Sequence, residues 1–368
     1  MGIHHLDPSN ELLWDEFCAS NDEAWFWHTT KWLKYCLSYG SETYETKDLS
    51  FFVSDDKGIL AICPLLMDKK TDEDGLGYVE FSTAGSGGYS ITPALRQDVD
   101  EDRRERILKV IFDQIDVLAK QHGIVRVLFR MSPLCQRINQ FNWLLKFGYV
   151  DASINTQVLD LEQSKERLWS SLRKGHKYDA RRGEKFYEIN TIDQNNPERD
   201  SFENYRILHH KAAGRVTRPL ETFEMMYSWI LSGEGMLCGV TKETQPVGYT
   251  YVNYYKNAAY YSSASDEPDF ITNVPISHAI QWAVIQWLKE HGCTTYEMGI
   301  QQFAPLFFDL PSSKDLSISF FKRGFGGKTV PLYRGIKYYD LDFMKRELTM
   351  SLQNFISSYQ ISTVGKDG

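Results

Sequence analysis

From Leu208 to Pro219 the chain reads L-H-H-K-A-A-G-R-V-T-R-P. His209, His210, Lys211, Arg215 and Arg218 fall close together there, with no carboxylate between them. Arginine grips a phosphate as a two-pronged fork, and lysine holds it as a point charge. Gly214 lets the backbone approach a ligand closely. A helix opened by Pro219 offers free N–H groups and a favourable dipole to an anion. The stretch follows a helix expected over 203–208 and reads as the seat of a phosphate-bearing ligand. The plainer alternative is a solvated loop neutralised by acids elsewhere. It does not read as a metal site. Adjacent residues diverge on a helix or strand, and no further ligands stand at metal spacing.

A second basic group lies upstream, in L-W-S-S-L-R-K-G-H-K-Y-D-A-R-R-G-E-K (168–185). Arg173, Lys177, Arg181 and Lys185 recur every fourth residue, forming one stripe on a helix, and Lys174 and Arg182 widen it. Such a stripe suits phosphate, a nucleotide or the acceptor end of a tRNA, and a solvated helix face looks the same. No covalent nucleophile stands out. There is no G-x-S-x-G, and T-A-G-S-G-G (83–88) reads as a flexible turn that can line a pocket.

The elements that must position these groups show an internal repeat. A-K-Q-H-G-I-V-R-V-L-F-R near residue 120 resembles L-K-E-H-G-C-T-T-Y-E-M-G near residue 289. Each copy is an amphipathic helix (102–122 or 275–291) ending in Lys-x-His-Gly, followed at once by a strand. Gly123 and Gly292 fit left-handed caps. Upstream of each helix lies a strand–turn–strand pattern, with turns at Asp56-Lys57-Gly58 and Thr244-Gln245-Pro246. The expectation is an α+β unit used twice, each with a mixed, mostly antiparallel sheet flanked by helices. The halves are 1–160 and 161–348, and 349–368 forms a polar tail.

Bulk composition narrows the classes. A chain of 368 residues exceeds one ordinary core. A net charge of −8 argues against a dedicated nucleic-acid binder, though not against a local basic patch. No run spans a bilayer, and no secretory signal opens the chain. Six scattered cysteines without C-x-x-C read as free thiols in a reducing cytosol, so the expected location is cytoplasmic.

Four motifs, in order from residue 28 to residue 327, carry a resemblance. They are H-T-T-K-W (28–32), the basic helix at 168–185, Tyr296-Glu297-Met298-Gly299, and F-F-K-R-G-F-G-G (320–327). Together they resemble the FemABX-like transferases, whose fold is two GNAT (N-acetyltransferase-type) domains in tandem. The resemblance implies transfer of an acyl or aminoacyl group to an amine, usually on a cell-wall or surface-glycan precursor. Acyl-CoA or aminoacyl-tRNA would be the co-substrate, with no tightly bound cofactor and no metal. It also implies that Lys322, after Phe321, sits near the bond being made, where an ammonium stabilises an oxyanion. Acyl transfer to an amine needs a proton acceptor, and Glu297, His209 and His210 are the candidates. The chain departs from the pattern twice. No segment reads as a long helical arm for tRNA, and the turn S-A-S-D-E-P-D-F-I-T-N-V-P before the second helix is acidic and lacks glycine.

The function expected is an N-acyltransferase acting on a phosphate-bearing acceptor such as a nucleotide-linked amino sugar of cell-envelope polysaccharide. The alternatives are a tRNA-dependent aminoacyltransferase of the peptidoglycan-bridge type and a non-catalytic GNAT-like scaffold.

Overall fold

The computed structural model of the chain describes residues 1–39, 45–72, 75–83, 88–135 and 141–358. In chain order the first half runs β1 (Gly2–His5), α1 (Glu11–Ser20), α2 (Thr30–Tyr39), β2 (Glu45–Asp48), β3 (Phe51–Asp55) and β4 (Gly58–Cys63). It continues through β5 (Leu66–Thr71), β6 (Gly77–Phe81), β7 (Ser90–Ile91), β8 (Ala94–Leu95), α3 (Glu101–His122), β9 (Arg126–Arg130) and β10 (Val150–Asp151). The second half runs β11 (Ile154–Asp160), α4 (Lys165–Ser171), α5 (Lys174–Phe186), β12 (Glu188–Ile192), α6 (Arg199–Ala213) and α7 (Leu220–Leu231). Then come β13 (Gly235–Lys242), β14 (Gln245–Tyr255), β15 (Ala258–Asp266), α8 (Ile276–Glu290) and β16 (Thr295–Gln301). The chain closes with α9 (Ser313–Arg323), β17 (Lys328–Leu332), β18 (Arg334–Tyr338) and α10 (Leu341–Ser358).

The repeat read from Lys-x-His-Gly is present in space. Asp100 caps α3 by accepting the Arg103 N–H, and Gly123 ends it at φ 64°, ψ 35°. Gly292, after α8, takes φ +80°. Each helix links a parallel strand pair: β6 with β9, and β15 with β16. Nearly all other pairings are antiparallel. In the first half the strands form two sheets, β1-β3-β4-β8 and a seven-stranded sheet around β9, and both pack on α3. The second half forms one sheet ordered β12-β13-β14-β15-β16-β11-β17. A division near residue 160 is crossed twice by the sheets. Strand β11 pairs with β16 and β17, and β18 returns to pair with β9.

Several local expectations change. The second turn is Glu243-Thr244, both at positive φ, one residue earlier than the sequence suggested. Pro246 lies inside β14 at a register shift, where its missing N–H is tolerated. The basic helix is broken in two at Leu172, because that side chain turns into the core in extended backbone. Arg173 therefore takes the N-cap position of α5, outside one continuous stripe. Helix α6 runs on to Ala213, so His209, His210 and Lys211 are helical, and Gly214 stops the helix at φ +67°. Residues 349–358 belong to α10, while 359–368 lie outside the described residues, as do 84–87 of the glycine-rich turn. All six cysteines are free thiols. No helix among the described residues is long and apolar enough to cross a membrane.

One core is common to both halves. Trp14, Trp25, Phe26 and Trp32 pack with Phe202, Tyr205, Trp229 and Tyr251. Phe26 meets Trp229 edge-on at 4.9 Å. Lys256 crosses from the second half to donate to the carbonyls of Asn21 (2.6 Å) and Ala24 (3.0 Å).

Candidate active site in the cleft between the halves

Above that core lies a cavity of about 250 Å³. Trp27, Trp32, Tyr35, Tyr39, Trp229 and Tyr260 line it, and Arg130 and Arg218 supply the charge. Aromatic walls with a few placed cations suit a ring-bearing anion. Trp27 is held by its neighbour His28, the first residue of H-T-T-K-W. His28 Nε2 donates to the Thr92 carbonyl (3.0 Å), and its Nδ1 accepts from the Trp25 N–H (3.1 Å). Burial pushes His28 down to about 4, so it stays neutral in this role. Arg218 lies over the Phe223 ring at 4.2 Å and points to the Tyr205 hydroxyl (3.5 Å) and the Met226 sulfur (3.1 Å). Its Nε is buried with no partner, and no carboxylate pairs with it among the described residues.

Beside the cavity the second sheet opens. Strands β15 and β16 pair only at Ala258–Tyr260 with Thr295–Glu297, and then they part. In the first half the equivalent gap is filled, because β7 takes up the pairing with β9 at Ser90–Phe129 and Ile91–Arg130. The open gap holds Glu297 and Lys322. Glu297 is 1% exposed. Its Oε1 accepts from Thr156 Oγ1 (2.7 Å), while Oε2 is buried without a partner. Burial raises its carboxyl to about 7, although Thr156, Arg130 and Lys322 all favour the ionised form. Lys322, in the last turn of α9, is lowered to about 8 by desolvation, with Glu297 opposing the drop. Gly299 makes room for it: a Cβ there would stand 3.1 Å from Lys322 Nζ and 3.6 Å from the Tyr260 hydroxyl. Tyr260 joins the two regions. It lies opposite Glu297 in register and meets Trp27 edge-on at 4.8 Å. A carboxyl poised near neutrality beside a desolvated ammonium can take a proton and stabilise developing negative charge.

The residues singled out from sequence divide. Arg218, Glu297 and Lys322 come together around the cleft. His209 reaches its edge through Ser263 Oγ (3.3 Å), and burial, then Arg218 and His210, hold it down at about 4. His210 instead accepts from the Thr217 N–H (3.2 Å) and braces the loop after α6. The counter-charges missing from the local sequence come from the β15–α8 turn. Lys211 pairs there with Glu267 (2.5 Å) and Asp269 (2.8 Å). Arg215 is exposed. The basic stripe largely covers its own neighbours: Arg173 stacks on Phe320 (3.7 Å), Lys177 donates to the Ser170 carbonyl (2.7 Å), and Arg181 lies over Trp169 (5.0 Å). Phe321 packs against His176, His278 and Phe325. The His176 Nε2 donates to the Phe321 carbonyl (2.9 Å), fixing the turn that carries Lys322. Sequence reasoning missed Arg130, Tyr260 and Thr156. The repeat held a signal for the first, since matching His122-Gly123 to His291-Gly292 sets Arg130 against Gly299.

No protein-family model matches the chain, and no curated protein matches it. Among solved structures it is similar to FemX, with a TM-score of 0.66 at 14% identity, covering 94% of this chain and 99% of that one. The chain has the fold of tandem GNAT proteins. L-PGS from Bacillus licheniformis superposes at TM-score 0.55 and 15% identity, over 95% of this chain and 98% of its own. A tandem GNAT protein from the clavulanic acid biosynthesis pathway does so at 0.50 and 12%, over 92% and 98%. In this tandem-GNAT fold the two copies are unequal: the parallel strand pair stays open only in the second, where Glu297 and Lys322 lie.

Proposed function

We propose that the chain is an N-acyltransferase that moves an activated acyl or aminoacyl group to the amine of an anionic acceptor seated in the cleft. The observation that carries this is the buried Glu297 carboxyl, within electrostatic reach of the half-buried Lys322 ammonium, beside an aromatic cavity that holds Arg218. The acceptor's neutral amine attacks the donor's carbonyl carbon and forms the C–N bond. Lys322 faces the resulting oxyanion. Glu297 takes the proton released by nitrogen and returns it to the leaving oxygen or sulfur as the C–O or C–S bond breaks. Arg218 holds the acceptor's phosphate, and the aromatic walls hold its ring. Proximity in a ternary complex supplies much of the rate. The tandem-GNAT neighbours support a transferase of this kind, and a nucleotide-linked amino sugar meets the cavity's chemistry.

The acidic turn before α8 favours an aminoacyl ester over CoA as the donor. Helix α8 opens on Pro275, and Asp266 accepts from Ser277 in its first turn (2.8 Å). Glu267 and Asp269 lie in the same turn, tied to Lys211. A pyrophosphate at this helix end would meet carboxylates where free N–H groups are needed.

The test is native mass spectrometry with acyl-CoAs and aminoacyl-tRNA, followed by assay of product on UDP-amino sugars, with Glu297→Gln alongside. Product from wild type, formed roughly 100-fold or more slowly by the variant, supports the reading. Acceptor binding with no product from any donor would make the chain a binding scaffold.

A further inference from the structure

Strand β9 turns Arg126, Leu128 and Arg130 to the face opposite α3, since Val127 and Phe129 pack into the α3 core. The two arginines are treated differently. Arg126 pairs with both Glu80 and Glu347. Arg130, only 7% exposed, has no ion pair among the described residues. Its guanidinium lies on the Trp27 ring at 4.1 Å and close to the Tyr260 hydroxyl, while its Nε is buried without a partner.

Across the ladder, the register of β18 sets Arg334 directly opposite Arg130. Arg334 is also 7% exposed and also lacks an ion pair among the described residues. It donates Nε–H to the Ala152 carbonyl (2.9 Å) and lies over the Tyr89 ring at 4.3 Å. The acids that act on the pair from a distance are Glu297 and Asp309, and both Asp309 oxygens accept from the Gln302 amide (3.0 Å). Like charges directly opposite in a sheet are destabilising, and a buried charge without a partner costs more. Arginine forks match the paired oxygens of a carboxylate or phosphate.

We infer that Arg130 and Arg334 form an oxyanion subsite, distinct from Arg218, that seats a second anionic group of the acceptor. Arg130 lines the same cavity as Arg218. The acceptor is therefore a ring-bearing molecule with two oxyanionic groups. This rests on the cleft being the acceptor's seat, and it adds how many charges that acceptor must carry.

Calorimetric titration of the full chain with inorganic phosphate, pyrophosphate and glutarate, without any acyl donor, tests it. One of these anions is expected to bind, and which one distinguishes a phosphate from a carboxylate ligand. Arg130→Gln and Arg334→Gln should each weaken binding at least tenfold, while Arg130→Lys should recover part of it. The exposed control Lys109→Gln should leave it unchanged. Both Gln variants should melt no lower than wild type when ligand-free, because each relieves a cation facing a cation. Unchanged binding in the Gln variants, or no binding of any anion to wild type, overturns the subsite. So does a lower ligand-free melting temperature with binding intact. These readouts need no turnover. A chain that binds anions through these arginines but transfers nothing keeps the subsite and loses the transferase reading. Transfer by a chain whose Gln variants bind anions normally does the reverse.

Discussion

Glu297 and Lys322 have been brought toward one another in acidity by the same cause. Desolvation penalises the charged form of each, raising the carboxyl to about 7 and lowering the ammonium to about 8. Glu297 must be ionised to accept a proton, so the rate rises as pH climbs through about 7. Lys322 must stay protonated to face an oxyanion, so the rate falls above about 8. The expected pH–kcat/KM profile is a narrow bell belonging to the pair. Each group shifts the other, which gives the variants signs. Lys322→Met removes a cation that favours the carboxylate, so the acidic limb moves to higher pH. Glu297→Gln removes the anion that favours the ammonium, so the alkaline limb of any residual activity moves to lower pH. The Gln variant, which keeps an acceptor for Thr156, should lose roughly 100-fold or more in kcat. A profile that neither substitution moves would remove both residues from the chemistry.

Among the elements, the decisive difference between the two copies is one short strand. Strand β7 closes the gap beside β9, and no strand among the described residues closes it beside β16 beyond Tyr260. In that gap Gly299 takes φ +88°, a conformation that side chains rarely adopt, with Lys322 Nζ beside it. Gly299→Ala should therefore strain β16 and displace the ammonium, and a shift near 1 Å can cost about 100-fold in rate. The check is kcat against acceptor KM: kcat should fall and KM should hold. Helix α9 is fixed from the other side by His176. A Cβ at Gly324 would run into that ring, so Gly324→Ala should disturb the same turn more severely.

At the scale of the molecule, the halves are not separable pieces. The tryptophan-rich core draws on both, and β18 leaves the second half to pair with β9. Separately expressed 1–160 and 161–368 should each lack cooperative unfolding by calorimetry, because each would expose half of that core. The cleft also separates two arginines that look equivalent in sequence. Arg218→Ala should raise the acceptor KM about tenfold or more, whereas Arg215→Ala, exposed and away from the cavity lining, should stay within about twofold.

The sequence by itself determined the repeated α+β unit, the helix caps at Gly123 and Gly292, and the tandem architecture. These follow from local periodicity and from backbone conformations that glycine alone adopts readily. It also marked Glu297, Lys322 and Arg218 among other charged residues. It did not separate them from Lys211 or the stripe at 173–185, because a cation's partner is set by what folds against it. Glu267 and Asp269 neutralise Lys211 across the β15–α8 turn, and Phe320 and Trp169 take Arg173 and Arg181. Only the tertiary structure decided that Arg130 and Arg334 face each other, since that register joins strands some two hundred residues apart in the chain. Only it decided which copy of the repeat stays open, because β7 lies on one side and has no counterpart on the other among the described residues. Desolvation, which sets the chemistry of Glu297 and Lys322, belongs to the packed cleft and to no single stretch of sequence.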